Sequence, residues 1–378
     1  MKITGDWLQA PETQRLFQAF AGTDVQLFFV GGCVRNALID APVADVDLCS
    51  DAPPDAVTRL AEAAGLKVIP TGIEHGTVTV LVQGTPFEIT TFRSDVEMDG
   101  RHATVAFSKD IHEDAARRDF TMNALYANAA GEILDPLGTG VADALARRLR
   151  FVGDPVARIA EDYLRILRYF RFYAWYADPS HGPDVEALAA ISEGADGLGG
   201  ISRERIGAEM RRLLAAPDPA PALALMQASG VLTEVLPGAD AKAVAVLVHL
   251  EDQAEPDWLT RLAVLGGENP GPALRLSRVE EKALQQMRRA MSLPAAEAAY
   301  RHGAHIARQS QLALQALMGQ PLPVGLEAQI AKGAAAVFPI RAADLAERFQ
   351  GPALGQALRE REARFIASGF GLGRGDLL

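Results

Sequence analysis

The stretch FFVGGCVRNALIDAPVADVDL, residues 28–48, contains the elements on which the fold prediction depends. Its apolar start, residues 28–30, predicts a buried strand. Gly31 and Gly32 then permit a tight turn, and a helix is predicted to follow over residues 33–39. Backbone N–H groups and the helix dipole favour a phosphate at such a helix start, so the segment predicts a place to hold a triphosphate.

Two acidic residues follow near the end of this stretch. Asp45 and Asp47 alternate with Val46 and Leu48, so a strand would put both carboxylates on one face and both apolar side chains on the other. Carboxylates that face the same way repel each other unless a cation lies between them. Mg²⁺ suits this position, because it takes oxygen ligands from one or two carboxylates together with substrate phosphates. The alternative is a pair of solvated carboxylates at a strand edge.

The glycine turn followed by an acidic pair resembles the head of the nucleotidyltransferase superfamily, in which a third carboxylate lies on a neighbouring strand. The candidate for that third carboxylate is Glu88, in the segment TVTVLVQGTPFEITTFR. This segment predicts two alternating strands, residues 77–82 and 87–92, around a turn that contains glycine. Glu88 is predicted to point away from its apolar neighbours Phe87 and Ile89, so it faces either solvent or the site.

A longer motif, RRDFTMNAL at residues 117–125, is more specific. Together with the first segment it resembles the class II branch of the superfamily, which comprises tRNA nucleotidyltransferases (CCA-adding enzymes) and poly(A) polymerases, and is most similar to the bacterial CCA-adding enzymes. The resemblance continues through residues 135–172 and 201–214. It implies an α+β fold, with a nucleotidyltransferase head built on a small mixed sheet, followed by an all-helical neck and body or tail.

Three regions are predicted along the chain. Residues 1–135 carry all the acidic catalytic candidates and would form the catalytic head. Residues 136–215 would form a helical neck for nucleotide recognition, and residues 216–378 a helical body or tail that binds tRNA, with a plain scaffold as the alternative. In the neck, five side chains have the spacing of one buried helix face: Tyr163, Ile166, Leu167, Phe170 and Ala174.

Asp162 and Arg165 are predicted to stand together, three residues apart, on the open face of that neck helix. A carboxylate accepts and a guanidinium donates, so the pair can imitate a complementary base for cytosine and adenine but not for uracil or guanine. In the family this EDxxR pattern selects CTP and ATP without a nucleic-acid template. The alternative is a local salt bridge worth ~0.3 to 0.5 kcal/mol.

The resemblance implies the remaining nucleotide contacts. Arg118 matches a residue that contacts the triphosphate, whereas Asp119 and Asn123 match residues near the sugar. Arg35 would add charge near the phosphates, although the family usually has aspartate where Asn36 follows it. The predicted nucleotide-binding residues are Gly31, Gly32, Arg35, Arg118, Asp119, Asn123, Asp162, Arg165 and Arg168.

The predicted reaction is two-metal nucleotidyl transfer, in which Asp45, Asp47 and Glu88 are the catalytic carboxylates and Asp45 and Asp47 are the metal ligands for Mg²⁺. It would add C and A from CTP and ATP to the 3′ end of tRNA. Residues 92–107 resemble the flexible loop that full CCA-adding enzymes need for the final A. The alternatives are a poly(A) polymerase, an enzyme that adds only CC or only A, and a non-catalytic RNA-binding protein.

Composition sets the remaining limits. A chain of 378 residues has room for about two or three domains. With only two cysteines, no charged-then-apolar leader and no long apolar run, a cytoplasmic protein without a membrane partner is expected. The net charge is -11, but RNA binding needs only a local basic face, which the eleven arginines between residues 147 and 212 would provide. No DNA partner is expected.

Overall fold

The computed structural model describes residues 1–70, 72–95, 105–252 and 255–378. The chain divides into two compact units, Met1–Leu198 and Gly199–Leu378. Strands occur in the first unit, whereas the described part of the second unit is helical. The predicted α+β arrangement, with a mixed sheet at the N-terminal end of the chain and helices after it, is therefore confirmed.

A mixed sheet forms the centre of the first unit. The strands of the described residues are β1 (Leu27–Val30), β2 (Asp47–Ser50), β3 (Lys67–Ile69), β4 (Thr77–Val82), β5 (Thr85–Thr91), β6 (Arg93–Asp95), β7 (Val105–Phe107), β8 (Tyr126–Ala127) and β9 (Ile133–Leu134). Seven of them are ordered β3-β4-β5-β2-β1-β8-β9, and β6 pairs with β7 in a separate antiparallel hairpin. Strand β2 runs parallel to β5 and antiparallel to β1, so the two strands that carry acidic candidates are direct neighbours.

Helices flank the sheet and continue to the end of the first unit. Its described α-helices are α1 (Asp6–Gln9), α2 (Pro11–Phe20), α3 (Gly32–Leu38), α4 (Pro54–Ala63), α5 (Ile111–Ala116), α6 (Gly140–Leu145), α7 (Pro155–Glu161), α8 (Leu164–Tyr176) and α9 (Val185–Gly194). A short 3-10 helix, Thr121–Asn123, lies within the RRDFTMNAL motif. The sheet packs on a buried aromatic core that includes Phe28, Phe92 and Tyr126.

The second unit consists of helices in its described residues: α10 (Arg203–Leu214), α11 (Ala220–Ala228), α12 (Val231–Val235), α13 (Val244–Glu251), α14 (Trp258–Leu265), α15 (Pro270–Ala273), α16 (Arg278–Ala290), α17 (Ala295–His302), α18 (Ala304–Met318), α19 (Leu326–Ala335), α20 (Pro352–Ala367) and α21 (Arg374–Leu377). Within the part of the chain that the structure describes, no helix has the length and apolar character needed to span a membrane.

A buried ion pair lies inside the second unit. The Arg261 side chain is 1% exposed and its Nη2 donates to Glu251 at 2.7 Å. Arg261 Nη1 also donates to the carbonyl of Leu214 at 2.7 Å and to that of Ala216, at the C-terminal end of α10. One guanidinium therefore satisfies a buried carboxylate and several backbone carbonyls that would otherwise lack partners.

The elements predicted around the glycine turn are present. Residues 28–30 lie in β1, which is buried along its whole length. The predicted helix over residues 33–39 is α3, and the two predicted strands are β4 and β5. Strand β2, however, begins at Asp47, so the prediction of a strand from Asp45 was wrong by two residues. Strand β1 ends at Val30, and residues 45 and 46 therefore have no strand partner on that side.

The neck helix is interrupted where one continuous helix was predicted. Helix α7 ends at Glu161 and α8 begins at Leu164, while Asp162 is extended, with φ -153 and ψ 104. Its carboxylate accepts the N–H of Leu164 at 3.0 Å. Aspartate side chains compete in this way for backbone donors, which favours a break over a continuous helix. Beyond the break, Ile166, Leu167 and Phe170 are buried as predicted.

Candidate active site

An arginine-rich cleft of about 420 Å³ opens beside the glycine turn of the first unit. Asp47 and Asp119 are the carboxylates on its wall. Its basic residues are Arg35, Arg93, Arg118, Arg168 and Arg171. Because guanidinium groups outnumber carboxylates and have the donor geometry that suits phosphate oxygens, the cleft is suited to a polyanion.

The glycine turn lies close to the RRDFTMNAL motif. Gly31 has φ 70 and ψ -116, a backbone conformation that glycine adopts without the steric cost of a side chain. A Cβ atom there would lie 3.5 Å from Arg118 Nη1 and 3.5 Å from the carbonyl oxygen of Asn123. The Gly31 N–H also donates to the carbonyl of Leu125 at 2.9 Å. The two sequence motifs therefore form one wall of the cleft.

Asp114, which does not line the cleft, binds the guanidinium of Arg118. Its Nε and Nη2 donate to Asp114 Oδ2 at 3.1 and 2.8 Å, and the Tyr126 hydroxyl donates to the same oxygen at 2.7 Å. Burial alone would raise the pKa of Asp114, but Arg118 and the Tyr126 hydroxyl hold that pKa below its usual value. Asp114 is therefore an anion at neutral pH, and it stabilises the positive charge of Arg118.

Asp119 and Asn123 organise a second arginine. Asp119 Oδ2 accepts from Arg168 Nε at 2.9 Å, while its Oδ1 accepts from Asn123 Nδ2 at 3.0 Å and from the N–H of Phe120 at 2.8 Å. Burial would raise the pKa of Asp119, but these donors, chiefly Arg168, hold it below its usual value. Both carboxylate oxygens already have donors from the protein, so Asp119 positions Arg168 and Asn123 at the cleft.

Arg35 is buried and is held by amide oxygens and aromatic rings. Its Nε and Nη2 donate to Asn36 Oδ1 at 3.1 and 2.8 Å, and its Nη1 donates to Asn123. The guanidinium carbon lies 3.8 Å from the ring centroid of Tyr176, a cation–π contact. Asn36 therefore accepts two hydrogen bonds from Arg35 without neutralising its charge as an aspartate would.

The three acidic candidates lie around the start of β2. Asp47 is the register partner of Glu88 across the parallel β2–β5 pair. A second cleft, of about 620 Å³, is lined by Asp45, Asp47 and Glu88, so Asp47 belongs to both clefts. Burial raises the pKa of Asp47, repulsion from Glu88 and Asp45 raises it further, and Arg118 opposes the shift. Burial is the largest cause of this raised pKa, and the two neighbouring negative charges add to it.

The donor set fits a hard divalent cation that takes the rest of its ligands from substrate. Carboxylate oxygens from Asp47 and its two acidic neighbours provide hard ligands at the junction of the clefts. Across the described residues, no group of three or more His, Cys, Asp and Glu side chains is arranged to hold an ion by itself. Mg²⁺ sites commonly have this form, with one or two carboxylates completed by phosphate oxygens and water.

Asp162 and Arg165, the predicted base-reading pair, line neither cleft. Arg165 is paired with Glu161, and its Nη1 donates to the carbonyl of Arg158 at 2.8 Å. Arg158 binds the same Glu161 carboxylate at 2.5 Å. The structure thus brings most predicted nucleotide-binding residues to one cleft and leaves this pair apart from them. The residues brought together are Gly31, Gly32, Arg35, Arg118, Asp119, Asn123 and Arg168.

Several site residues were missed in the sequence. Asp114 and Arg118 have the i,i+4 spacing at which opposite charges meet on a helix, and this signal could have revealed their pairing. Phe172 and Tyr176 also line the cleft, but aromatic residues at helical spacing are typical of a core. No sequence pattern set Arg93, Arg171 or Tyr126 apart as a residue of this site. The loop resemblance falls mainly on residues 96–104, which lie outside the described residues.

The arginines predicted to form a basic face are used in several ways. At least five of the eleven form ion pairs, within the described residues, with carboxylates of their own compact unit: Arg150, Arg158, Arg165, Arg168 and Arg211. Arg158 and Arg165 share Glu161, so these five arginines meet four carboxylates, which cancel four positive charges at short range. The basic surface offered to an RNA backbone is therefore smaller than the arginine count predicts.

Comparison with known proteins gives matches to both parts of the chain. Residues 27–150 match the poly A polymerase head domain, and residues 183–242 match a probable RNA and SrmB-binding site of polymerase A. The chain is 43% identical over 216 residues to mitochondrial CCA tRNA nucleotidyltransferase 1 of Mus musculus, covering 55% of the chain and 50% of the relative. It is 36% identical over 270 residues to the CCA-adding enzyme of Geobacillus thermodenitrificans, covering 69% and 64%.

The fold is also similar to that of a solved structure. The CCA-adding enzyme of Bacillus stearothermophilus in complex with CTP matches with a TM-score of 0.75 and 27% identity, over 97% of this chain and 94% of that one. In the sequence comparison, by contrast, the chain spans about half the length of the first relative that it matches.

Proposed function

Because this chain belongs to the class II family of tRNA nucleotidyltransferases and poly(A) polymerases, we propose that it adds C and A nucleotides from CTP and ATP to the 3′ end of tRNA and releases pyrophosphate. The observation that carries the proposal is the position of Asp47. It lies where an arginine-rich cleft meets a cleft lined by Asp45 and Glu88. The arginine-rich cleft suits a triphosphate. The attacking 3′-hydroxyl is proposed to reach the triphosphate beside Asp47, the carboxylate that both clefts share.

The triphosphate is proposed to lie along the glycine turn, against Arg118 and Arg168. Gly31 and Gly32 allow the phosphates to approach the backbone, and the two guanidiniums are already oriented by Asp114 and Asp119. Donors that are fixed before the substrate arrives do not have to reorganise as charge moves to the leaving pyrophosphate. The protein thus contributes position and charge, and no covalent enzyme intermediate is needed. Asp119 and Asn123 are proposed to lie next to the sugar, and Arg35 adds charge near the phosphates.

Asp45 and Asp47 are the proposed ligands of Mg²⁺, and Glu88 is the third catalytic carboxylate. Bound there, two Mg²⁺ ions would activate the 3′-hydroxyl and neutralise the pyrophosphate. The chain's own part is to place Asp45 and Glu88 around Asp47, whose pKa is raised mainly by burial and further by repulsion from these two carboxylates. The β2–β5 pairing holds Asp47 beside Glu88, because the two residues are register partners.

Selection of CTP and ATP is proposed to reside in Asp162 and Arg165. Reading a base would require Arg165 to exchange its contact with Glu161 for the base edge. The break between α7 and α8 places Asp162 in extended backbone beside that arginine, where its carboxylate can reorient more easily than in a helix interior.

The remaining proposals concern the wider protein. Residues 1–135, 136–215 and 216–378 are proposed as head, neck and body or tail, with the last binding tRNA. A cytoplasmic location is proposed because Cys33 and Cys49 are both buried free thiols, which suits a reducing compartment. Three of the relatives are mitochondrial enzymes, so localisation of the tagged protein in its own cells would test this proposal.

Single-nucleotide incorporation tests the proposed function. Purified protein with Mg²⁺ receives one radiolabelled triphosphate at a time and tRNA transcripts that end before, within or after CCA. We expect addition of C to tRNA that ends before CCA and to tRNA that ends after the first C. We expect addition of A to tRNA that ends in CC, and no addition to tRNA with a complete CCA end. A long ladder of A residues on unrelated RNA would instead establish a poly(A) polymerase, the activity in the name of the matching head domain.

A further inference from the structure

Asp114 is a buried carboxylate that lines neither cleft, yet it touches the residues that build one of them. It lies in α5 and is 3% exposed. Its Oδ2 accepts three hydrogen bonds, two from Arg118 and one from the Tyr126 hydroxyl. Its Oδ1 accepts the backbone N–H of Arg93 at 3.2 Å. The three donor residues lie in different places, Arg93 in β6, Tyr126 in β8 and Arg118 just after α5, so one side chain joins three parts of the head.

The contact with Asp114 fixes the direction of the Arg118 guanidinium. Nε and Nη2 donate to the carboxylate, Nε also donates to the Tyr126 hydroxyl at 3.0 Å, and no hydrogen bond between described residues involves Nη1. Nη1 lies at the glycine turn, 3.5 Å from the position of a Cβ atom on Gly31. Because the guanidinium is planar, holding two of its nitrogens fixes where the third one points. The third points into the arginine-rich cleft.

The same carboxylate also holds the start of the β6–β7 hairpin. Arg93 is the first residue of β6, and its side chain lines the cleft that also contains Arg118. The backbone of Arg93 is therefore tied to the anion that orients Arg118. Any change in the position of Asp114 displaces both arginines, whereas Arg168, which is held by Asp119, has a separate support.

We propose that Asp114 is a positioning residue for triphosphate binding, which holds Arg118 with Nη1 towards the phosphates and fixes Arg93 on the same wall. This inference rests on the proposed function, since it assigns a role in the same nucleotide site. Asp114 acts only through the arginines, and it does not touch the nucleotide. Its loss should therefore weaken contacts with the phosphates and leave contacts with the base and sugar unchanged.

Binding measurements with parts of the nucleotide test the proposal. Calorimetry of wild-type protein and Asp114→Asn would use CTP, inorganic triphosphate and cytidine, each with Mg²⁺. Asn keeps the shape and one acceptor oxygen but removes the anion. We expect affinity for CTP and for inorganic triphosphate to fall about ten- to a hundredfold, as for loss of a charged hydrogen bond, and affinity for cytidine to stay within about twofold. In steady-state assays the KM for CTP should rise while the KM for primer tRNA does not.

Glu113→Gln is the matched control. It removes a negative charge from the residue next to Asp114 on α5, where the exposed Glu113 carboxylate accepts the Ser108 hydroxyl at 2.5 Å and has no described hydrogen bond with Arg118. We expect its triphosphate affinity to stay within about threefold of wild type, because an exposed charge that does not orient Arg118 contributes little. If Asp114→Asn fails to fold, Asp114→Glu takes its place, since it keeps the charge, displaces the guanidinium and should show the same selective loss.

Two results would overturn the inference. Triphosphate affinity in the Asp114 variant equal to that of wild type would show that Arg118 needs no such support. Equal weakening of cytidine and triphosphate would show that Asp114 merely maintains the fold. Failure of the proposed function would look different: wild-type protein would bind triphosphate in an Asp114-dependent way and yet incorporate no nucleotide into tRNA.

Discussion

Replacement of Asp162 tests nucleotide selection most closely. The perturbations are Asp162→Ala, which removes the carboxylate, and Asp162→Ser, which also removes it but leaves a hydroxyl that can accept the Leu164 N–H as Asp162 Oδ1 does at 3.0 Å. The first variant loses both the proposed base contact and the local hydrogen bond. The second loses the base contact but keeps this hydrogen bond, so comparison of the two variants separates nucleotide selection from the stabilising effect of the Leu164 bond.

The magnitudes of the two effects follow from the contacts. A well-formed bidentate contact to a base edge is worth ~1 to 3 kcal/mol of discrimination, or roughly ten- to more than a hundredfold. The preference for CTP over UTP should fall by about that factor in both variants, with UTP incorporation falling less than CTP incorporation. The hydrogen bond to Leu164 is partly buried and worth about 0.5–1.5 kcal/mol, so Asp162→Ala alone should be destabilised by that amount.

The assay is single-nucleotide addition of each triphosphate to tRNA that ends before CCA, with urea unfolding of the same preparations. Asp154→Ala is the matched control, because Asp154 caps α7 through the N–H of Ala157 at 3.1 Å and has no proposed contact with a base. It should lose about 1 kcal/mol of stability and keep the CTP-to-UTP ratio of wild type. An unchanged ratio in Asp162→Ser would refute the reasoning and leave Asp162 as a purely structural turn residue.

Three further predictions concern the head and the second unit. Asp47→Asn should abolish addition of both C and A. Because the raised pKa of Asp47 means that its anion disfavours folding, the variant should have a higher melting temperature than wild type at pH 7 without metal. This difference should vanish as the pH falls below the usual pKa range of a carboxyl group. Equal melting temperatures at pH 7 would contradict this. Deletion of residues 96–101 should spare CC addition and block the terminal A, leaving products one nucleotide short on a sequencing gel; equal loss of C addition would make the segment part of the catalytic head. Arg261→Met should lower the free energy of unfolding, measured in urea, by about 3–5 kcal/mol, because it leaves the buried Glu251 carboxylate without its ion-pair partner. Adding Glu251→Leu should recover part of that loss.

The parts of the fold that sequence could predict are those set by local patterns. Alternating apolar residues predicted β4 and β5, and the paired glycines predicted the turn between β1 and α3, because a strand period and a positive φ depend on few neighbouring residues. The start of β2 at Asp47 could not be read locally. It depends on where β1 ends, which is a property of the neighbouring strand.

The site was predicted as a set of residues but not as a network. Arg118, Asp119 and Asn123, which were grouped by their motif, line one cleft together with Gly31. Which acceptor each donor uses depends on tertiary packing. Asp162 and Glu161 lie three and four residues before Arg165, and helical spacing favours both as partners, so the pairing of Arg165 with Glu161 could not be foreseen. The bonds between Arg35 and Asn36 show the same limit, because an amide can replace a carboxylate as acceptor without changing the geometry.

Sequencing of the product ends tests the central claim most directly. Wild-type protein and Asp47→Asn would each receive tRNA that lacks its CCA end, CTP, ATP and Mg²⁺, with a chelator control. We expect wild type to add C, C and A in that order and then stop, and we expect neither the variant nor the chelated reaction to add anything. Addition that continues beyond the third nucleotide, or Asp47→Asn activity equal to that of wild type, would contradict it.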